Sequence, residues 1–365
     1  MNRAHSSKPL STPAGALIAT LAFMSAPAFA GALNHPDGGN SREVLVVTSS
    51  NDPSRNSLLV FRLDTGTHPS LTLSETVPTG GKGGASGNAG ILQFQGDLGV
   101  VANYGSNTVS RLVRQRDSIG VDGTLPLGAG CQQPDSVALS GPHLFVVGAN
   151  CAQTLAWPGG GAAGPVVTLT DTSAGQIAAG DSWAAVTLKS GSVLQLPLRA
   201  DGALLGTAAT ITLPAGANDT PLGAAFWDDN LGFTPAHSPD SFAIVNPARQ
   251  VFPIAGPTPP YPGNAPCWVA KGPGNVWYTG NSPGQAISVF FSDAQGGAFY
   301  KSVPLPGVVT DLSVSPDGRW LAAIYTASDS GYVAVFAIDV YGGLTLVATS
   351  APVGVAAFSG VAVSQ

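Results

Sequence analysis

The chain has 365 residues, 15 of them basic and 21 acidic, with only 10% charged and with Gly at 47 and Pro at 30 positions. A net charge of −6 and no basic stripe exclude a nucleic-acid partner, since nothing is present to displace the counterions of a phosphate backbone. Few helix formers and many turn formers point to an all-β protein, and glutamate occurs only at Glu43 and Glu75.

At the N-terminus Arg3 and Lys8 precede an apolar run of eleven residues, 14–24, and then Ala28, Phe29 and Ala30. A membrane span needs about 20 apolar residues, so the run reads as a secretory signal, residues 1–30, cleaved after Ala30. Cleavage removes two basic residues and takes the charge from −6 to −8. Residues 31–42 are expected to form a flexible segment, and 43–365 the folded domain. No later stretch is apolar for long enough to span a membrane. The mature chain is expected to be an exported monomer, secreted or periplasmic.

The first folded piece, 43–77, reads as three strands. After it, one pattern repeats. An apolar strand, a tight turn, a second strand and a third strand recur with turns at Gly96 and Asp97, Gly141 and Pro142, Gly180 and Asp181, Asp228 and Asp229, Gly272 and Pro273, and Asp317 and Gly318. The spacings between these turns are 45, 39, 48, 44 and 45 residues. In the last unit strands are expected over 311–315, 320–325, 332–338 and 344–349, with Pro316, Asp317 and Gly318 supplying the turn chemistry. A period of about 40–50 residues with four strands per unit marks a β-propeller.

Six units are complete, and the N-terminal piece lacks its first strand. The tail FSGVAVSQ, 358–365, matches that missing strand and falls in phase with the repeat. The expected fold is therefore a seven-bladed β-propeller of four-stranded antiparallel blades. Its ring is closed by the C-terminal strand pairing with the N-terminal blade, which removes the exposed sheet edge.

Five stretches carry a family likeness: VPTGGKG (77–83), NYGSNTVS (103–110), APCWVA (265–270), SPGQAISVF (282–290) and SVSPDGRWL (313–321). In order and spacing the chain resembles an exported branch of the lactonase-like seven-bladed propellers, related to 6-phosphogluconolactonase and the carboxymuconate lactonizing enzymes. The resemblance implies a ligand site at one mouth of the central channel. The loops that enter each innermost strand, and those between second and third strands, share that face. They offer Asn103, Tyr104, Gln133, Gln176, Lys189, Asn281 and Tyr325 as ligand-binding candidates, a set suited to a neutral or mildly anionic small molecule. The same residue types also simply make turns.

Catalytic members of the family carry His, Arg and Glu at this mouth. At the corresponding places this chain has Gln176, the run Thr279, Gly280, Asn281, and Pro235 or Ala236. Opening a lactone needs a base and a group that stabilises the oxyanion. The nearest base is His237, the catalytic candidate, though a loop histidine between Ala and Ser also reads as a solvated residue. No nucleophile-elbow spacing, metal-binding histidine pair or nucleotide fingerprint occurs, so neither a metal nor a cofactor is expected. Cys131 and Cys151 lie equidistant from Gly141 and are expected to face each other across a hairpin as a disulfide, as an exporting compartment permits. Cys267 is expected to be an inert thiol inside a strand. Two functions stay open: a lactonase-like hydrolase or cycloisomerase acting on a small cyclic ester or sugar-derived lactone, and a non-catalytic propeller that binds a small ligand or protein through its loop-rich face.

Overall fold

The computed structural model describes residues 43–85, 87–237, 241–256, 265–293, 295–354 and 358–365. The signal and the segment 31–42 lie outside the described residues. Seven four-stranded antiparallel sheets account for every named strand. We number the blades in chain order. Their innermost strands are Ser359–Ser364, Leu92–Gln95, Pro134–Ser140, Ala174–Ala179, Pro221–Trp227, Pro266–Lys271 and Val308–Val314. The six turns read from the sequence join innermost strands to second strands, as expected.

Apolar periodicity explains the layering. Second strands such as His143–Gly148, Trp183–Leu188 and Val276–Asn281 are buried at every position, because each is sandwiched between neighbouring blades. Outer strands such as Ser70–Pro78 are mostly exposed. The core is therefore not one central mass. It is seven apolar wedges, each centred on the seam between two successive blades. At the seam of blades 5 and 6, for example, Phe242 packs on Trp277 and Phe290 with ring centroids 5.1 and 5.6 Å apart.

The ring closes through its ends. Ser359–Ser364 pairs antiparallel with Val44–Ser49, matching Leu45 with Ser364, Val46 with Val363 and Thr48 with Val361. The buried Arg114 of blade 2 fastens this seam. Its guanidinium donates to Ser364 Oγ at 3.1 Å, to the Glu43 carbonyl and to the Arg116 carbonyl. Phe358 is buried against Gly331, where a Cβ would overlap its ring.

Cys131 and Cys151 form a disulfide with Cα atoms 5.2 Å apart. The route differs from the hairpin symmetry. Cys151 opens the third strand of blade 3, Cys151–Ala156, and Cys131 lies ahead of the first strand. A bulge between Pro134 and Ser136 shifts the register by one residue and brings the two ends together. Replacing both cysteines by serine is expected to lower the unfolding free energy by about 3 kcal/mol, the chain-entropy value for a loop of this length. Denaturant titration of the oxidised parent and the variant checks it, and equal midpoints would refute it. Cys267 is half-buried in Pro266–Lys271, and burial raises its thiol pKa.

Candidate functional site

Six of the seven innermost strands enter the ring through a register shift at the same level. Each bulge frees a backbone N–H, and a side chain from the preceding blade often takes it up. Ser136 Oγ accepts from Ile177 N at 3.2 Å, and Gln176 Oε1 accepts from Ala224 N at 2.7 Å. Asp311 occupies the same place in blade 7 and accepts from the N–H groups of Leu312, at 2.8 Å, and of Val361. These contacts stitch blades 3 to 4, 4 to 5 and 7 to 1 together where their innermost strands enter.

The glycine-rich loop that leads into blade 2 crosses this end of the channel. Asn51 anchors it, donating to the Ala85 carbonyl and accepting from Gly84 N and Ala85 N. Its far end reaches past blade 3. Ala89 N donates to the Gly175 carbonyl of blade 4, and the Ala89 side chain packs with Leu222, Ala236, Trp268 and Val309. On that loop Asn88, 4% exposed, bridges two charges. Its Nδ2 donates to Asp135 Oδ1, and its Oδ1 accepts from Lys189 Nζ, both at 2.6 Å. Burial pushes the Asp135 carboxyl up to about 6, against the opposing pull of Lys189 and Asn88. Burial lowers Lys189, with Asp135 acting the other way.

On the same face stands His237, next in sequence to Ala236, which packs in the same cluster as Ala89 of the glycine-rich loop. Its Nδ1 lies 2.9 Å from Thr220 Oγ1 and 3.6 Å from Asp219 Oδ1, and the side chain is 69% exposed. The loop bearing Asp219 also abuts the turn bearing Lys189, since a Cβ on Gly191 would meet the Asn218 carbonyl. One face of the ring therefore carries Asn88, Asp135, Lys189, Asp219 and His237 on successive loops of blades 2 to 5.

Along the axis runs a well of about 320 Å³ lined by all seven innermost strands, from Gly90, Gln176, Asp311 and Val361 at one end to Leu139, Ala179, Phe226, Lys271 and Val314 at the other. The strands run toward the first-to-second-strand turns, so the second group lies on the face opposite the loops.

The sequence candidates divide. Lys189 joins the charged chain of contacts, and Gln176 stands at the top of the well. Asn103 is fully buried within blades 1 and 2. Its Oδ1 accepts from Asn56 and Thr79, and its Nδ2 donates to Thr108 and Ser110. Asn281 repeats the arrangement in blade 6, accepting from Thr279 and donating to Ser288. Tyr325 is buried and stacked on Tyr332, with centroids 5.1 Å apart. Gln133 is exposed with φ +53°, and its N–H donates to Asn107 Oδ1. Tyr104 is half-buried in a short 3-10 turn. The sequence reading missed Asn88, Asp135, Asp219 and Asp311. The available signal was an aspartate inside two apolar innermost strands, TDLSVS and PDSVALS. Among the described residues no cluster of three or more His, Cys, Asp or Glu could hold a metal, and no helix is long and apolar enough to cross a membrane.

No protein-family description and no curated protein matches this sequence. Solved structures do. A functionally unknown protein from Desulfotomaculum acetoxidans superposes with a TM-score of 0.64 at 15% identity, over 89% of this chain and 99% of that one. The periplasmic gluconolactonase of Pseudomonas aeruginosa gives 0.62 at 17% identity, over 88% and 99%. A streptogramin B lyase gives 0.56 at 16% identity, over 72% and 83%. The chain is a seven-bladed β-propeller with the fold of the periplasmic gluconolactonase and of the streptogramin B lyase.

Proposed function

We propose that this chain is an exported propeller hydrolase that opens a small cyclic ester at the loop-bearing face. The carrying observation is the chain Lys189–Asn88–Asp135, a cation partly withdrawn from water, on the same face of the ring as a histidine with carboxylate and hydroxyl partners. In this reading Thr220 and Asp219 hold His237 Nδ1, leaving Nε2 to take a proton from water. The water oxygen bonds to the lactone carbonyl carbon, and the Lys189 ammonium faces the oxyanion that forms. When the ring C–O bond breaks, the leaving alkoxide takes the proton back from His237. Asp135 balances the Lys189 charge while no substrate is bound. Export is supported by the apolar N-terminal run and by the Cys131–Cys151 bridge.

The test is a panel of γ- and δ-lactones, gluconolactone included, assayed with the parent, His237→Ala and Lys189→Met, each checked for a native circular dichroism spectrum. Hydrolysis by the parent is expected. His237→Ala is expected to lose about 100-fold or more in kcat, the usual worth of a positioned base, and Lys189→Met a similar factor through the oxyanion. No turnover of any lactone by the parent would replace this reading with the non-catalytic ligand-binding one. Unchanged kcat in both variants would move the chemistry elsewhere.

A further inference from the structure

The axial well is used by none of this chemistry, and its composition is specific. Its walls mix aliphatic side chains, Ala178, Ala225, Val269 and Leu312 from four different blades, with the polar Gln93, Gln176 and Ser313. Of the residues that line it only Asp311 and Lys271 are ionisable. They do not neutralise each other. Lys271 is turned back onto the carbonyls of Gly272 and Gly274, with its ammonium 5.4 Å from the ring centres of both Trp227 and Trp277. The Asp311 carboxyl takes hydrogen bonds from two uncharged backbone N–H groups, and no cation stands beside it among the described residues. At the same end of the well, on blade 4, Gln176 Nε2 has no acceptor among the described residues, while Gln176 Oε1 is held by Ala224.

We propose that the well is a binding site for a small organic ammonium ion, its head seated on Asp311. A buried carboxylate without a countercharge is costly, and a ligand that supplies the charge relieves it. Burial already drives Asp311 to hold a proton up to about pH 7, with the Leu312 and Val361 N–H groups opposing it. An ammonium ligand competes with that proton, so its affinity rises as pH climbs through the Asp311 titration. Lys271, lowered to about 8 by burial against the opposing charge of Asp228, is the other group that faces the well, and it disfavours cations only while protonated. The site does not depend on lactone hydrolysis, and Asp311 lies at the loop-side end of the well.

The experiment uses benzylamine as probe and benzyl alcohol as its neutral counterpart, followed by isothermal titration and by NMR shifts in the full mature chain. Saturable millimolar binding of benzylamine is expected at pH about 7.5, weaker at pH about 5, where Asp311 is protonated. Asp311→Asn keeps an oxygen for the two N–H groups and is expected to weaken benzylamine at least about tenfold, the scale of a charge-assisted contact, while leaving benzyl alcohol unchanged. Equal binding of the alcohol and the amine by the parent, no saturable benzylamine binding, or undiminished binding in Asp311→Asn would overturn the proposal. The comparison of amine with alcohol and the pH comparison both run on the parent, so they decide the matter even where the variant does not fold.

Discussion

A chain that stops before Ser359 should lose its cooperative unfolding transition. The missing strand contributes Val361, Ala362 and Val363, all 3–4% exposed, and it anchors Phe358, which is 2% exposed. At about 1.5–3 kcal/mol for each large apolar side chain, removing these contacts costs roughly 5–9 kcal/mol. That is comparable with the whole stability of a typical domain, about 5–15 kcal/mol. The loss is not only apolar. Arg114 gives up its hydrogen bond to Ser364, Thr48 gives up its 2.6 Å bond to the Gly360 carbonyl, and Val44–Ser49 becomes a free sheet edge. Calorimetry and size-exclusion chromatography of the truncated chain are expected to show a broad transition and aggregation. Gly331→Val should act on the same seam, because its side chain would occupy the place of the Phe358 ring. A truncated chain that melts sharply near the parent midpoint would show that the ring does not need its closing strand.

Stability should fall as pH rises from about 4 to about 7.5, and Asp311 should be the main cause. Its carboxyl is raised from 3.8 to about 7, and that of Asp135 from 3.8 to about 6, each by burial. Both groups keep their proton in the folded chain at pH values where the unfolded chain has released it. The folded state then binds more protons, so the stabilisation is complete below about 3.8 and is lost as pH climbs through 6 and 7. The slope reaches about 1.4 kcal/mol per pH unit for each group inside its window. Asp52 and Asp171 are held below 3.8 and titrate beneath this range, and Lys271, near 8, titrates above most of it. Urea titrations at a series of pH values give the curve. Asp311→Asn keeps the acceptor oxygen and removes the proton, so its curve is expected to be flatter above pH about 5. A parent curve that rises or stays level between 4 and 7.5 would contradict the burial argument, and an unflattened variant would assign the slope to another group.

The polar groups near the axis gather where the innermost strands enter their sheets. Blade 2, whose innermost strand Leu92–Gln95 has no register shift, also sets Gln93 on the well. In blades 3, 4 and 7 the first paired residue after the register shift is polar: Ser136, Gln176 and Asp311. Two of these stitch backbone N–H groups of the next blade and keep their polarity occupied. Asp311 does the same, but its charge has no countercharge beside it, which sets it apart chemically within an otherwise repetitive ring.

The sequence by itself determined the strand count, the hairpin turns, the ring closure and the disulfide. These rest on local chemistry repeated at a fixed period: turn residues of restricted φ, apolar runs of strand length, and two cysteines in one repeat unit. Tertiary structure alone decided which polar residues are free. Asn103 and Asn281 looked like mouth residues because they follow a second strand, yet the Asn281 amide is consumed by Thr279 and Ser288 of its own blade, and that of Asn103 by Ser110, Thr108, Thr79 and Asn56 of blades 1 and 2. Asn88, Asp135 and Lys189 lie 47 and 54 residues apart in sequence, and they meet because a glycine-rich loop reaches past a whole blade. Asp311 reads as one polar letter in an apolar strand, and only the closing of seven sheets around an axis makes it a buried charge. Periodicity records what each repeat does for itself, whereas burial and pairing depend on the neighbours that the ring supplies.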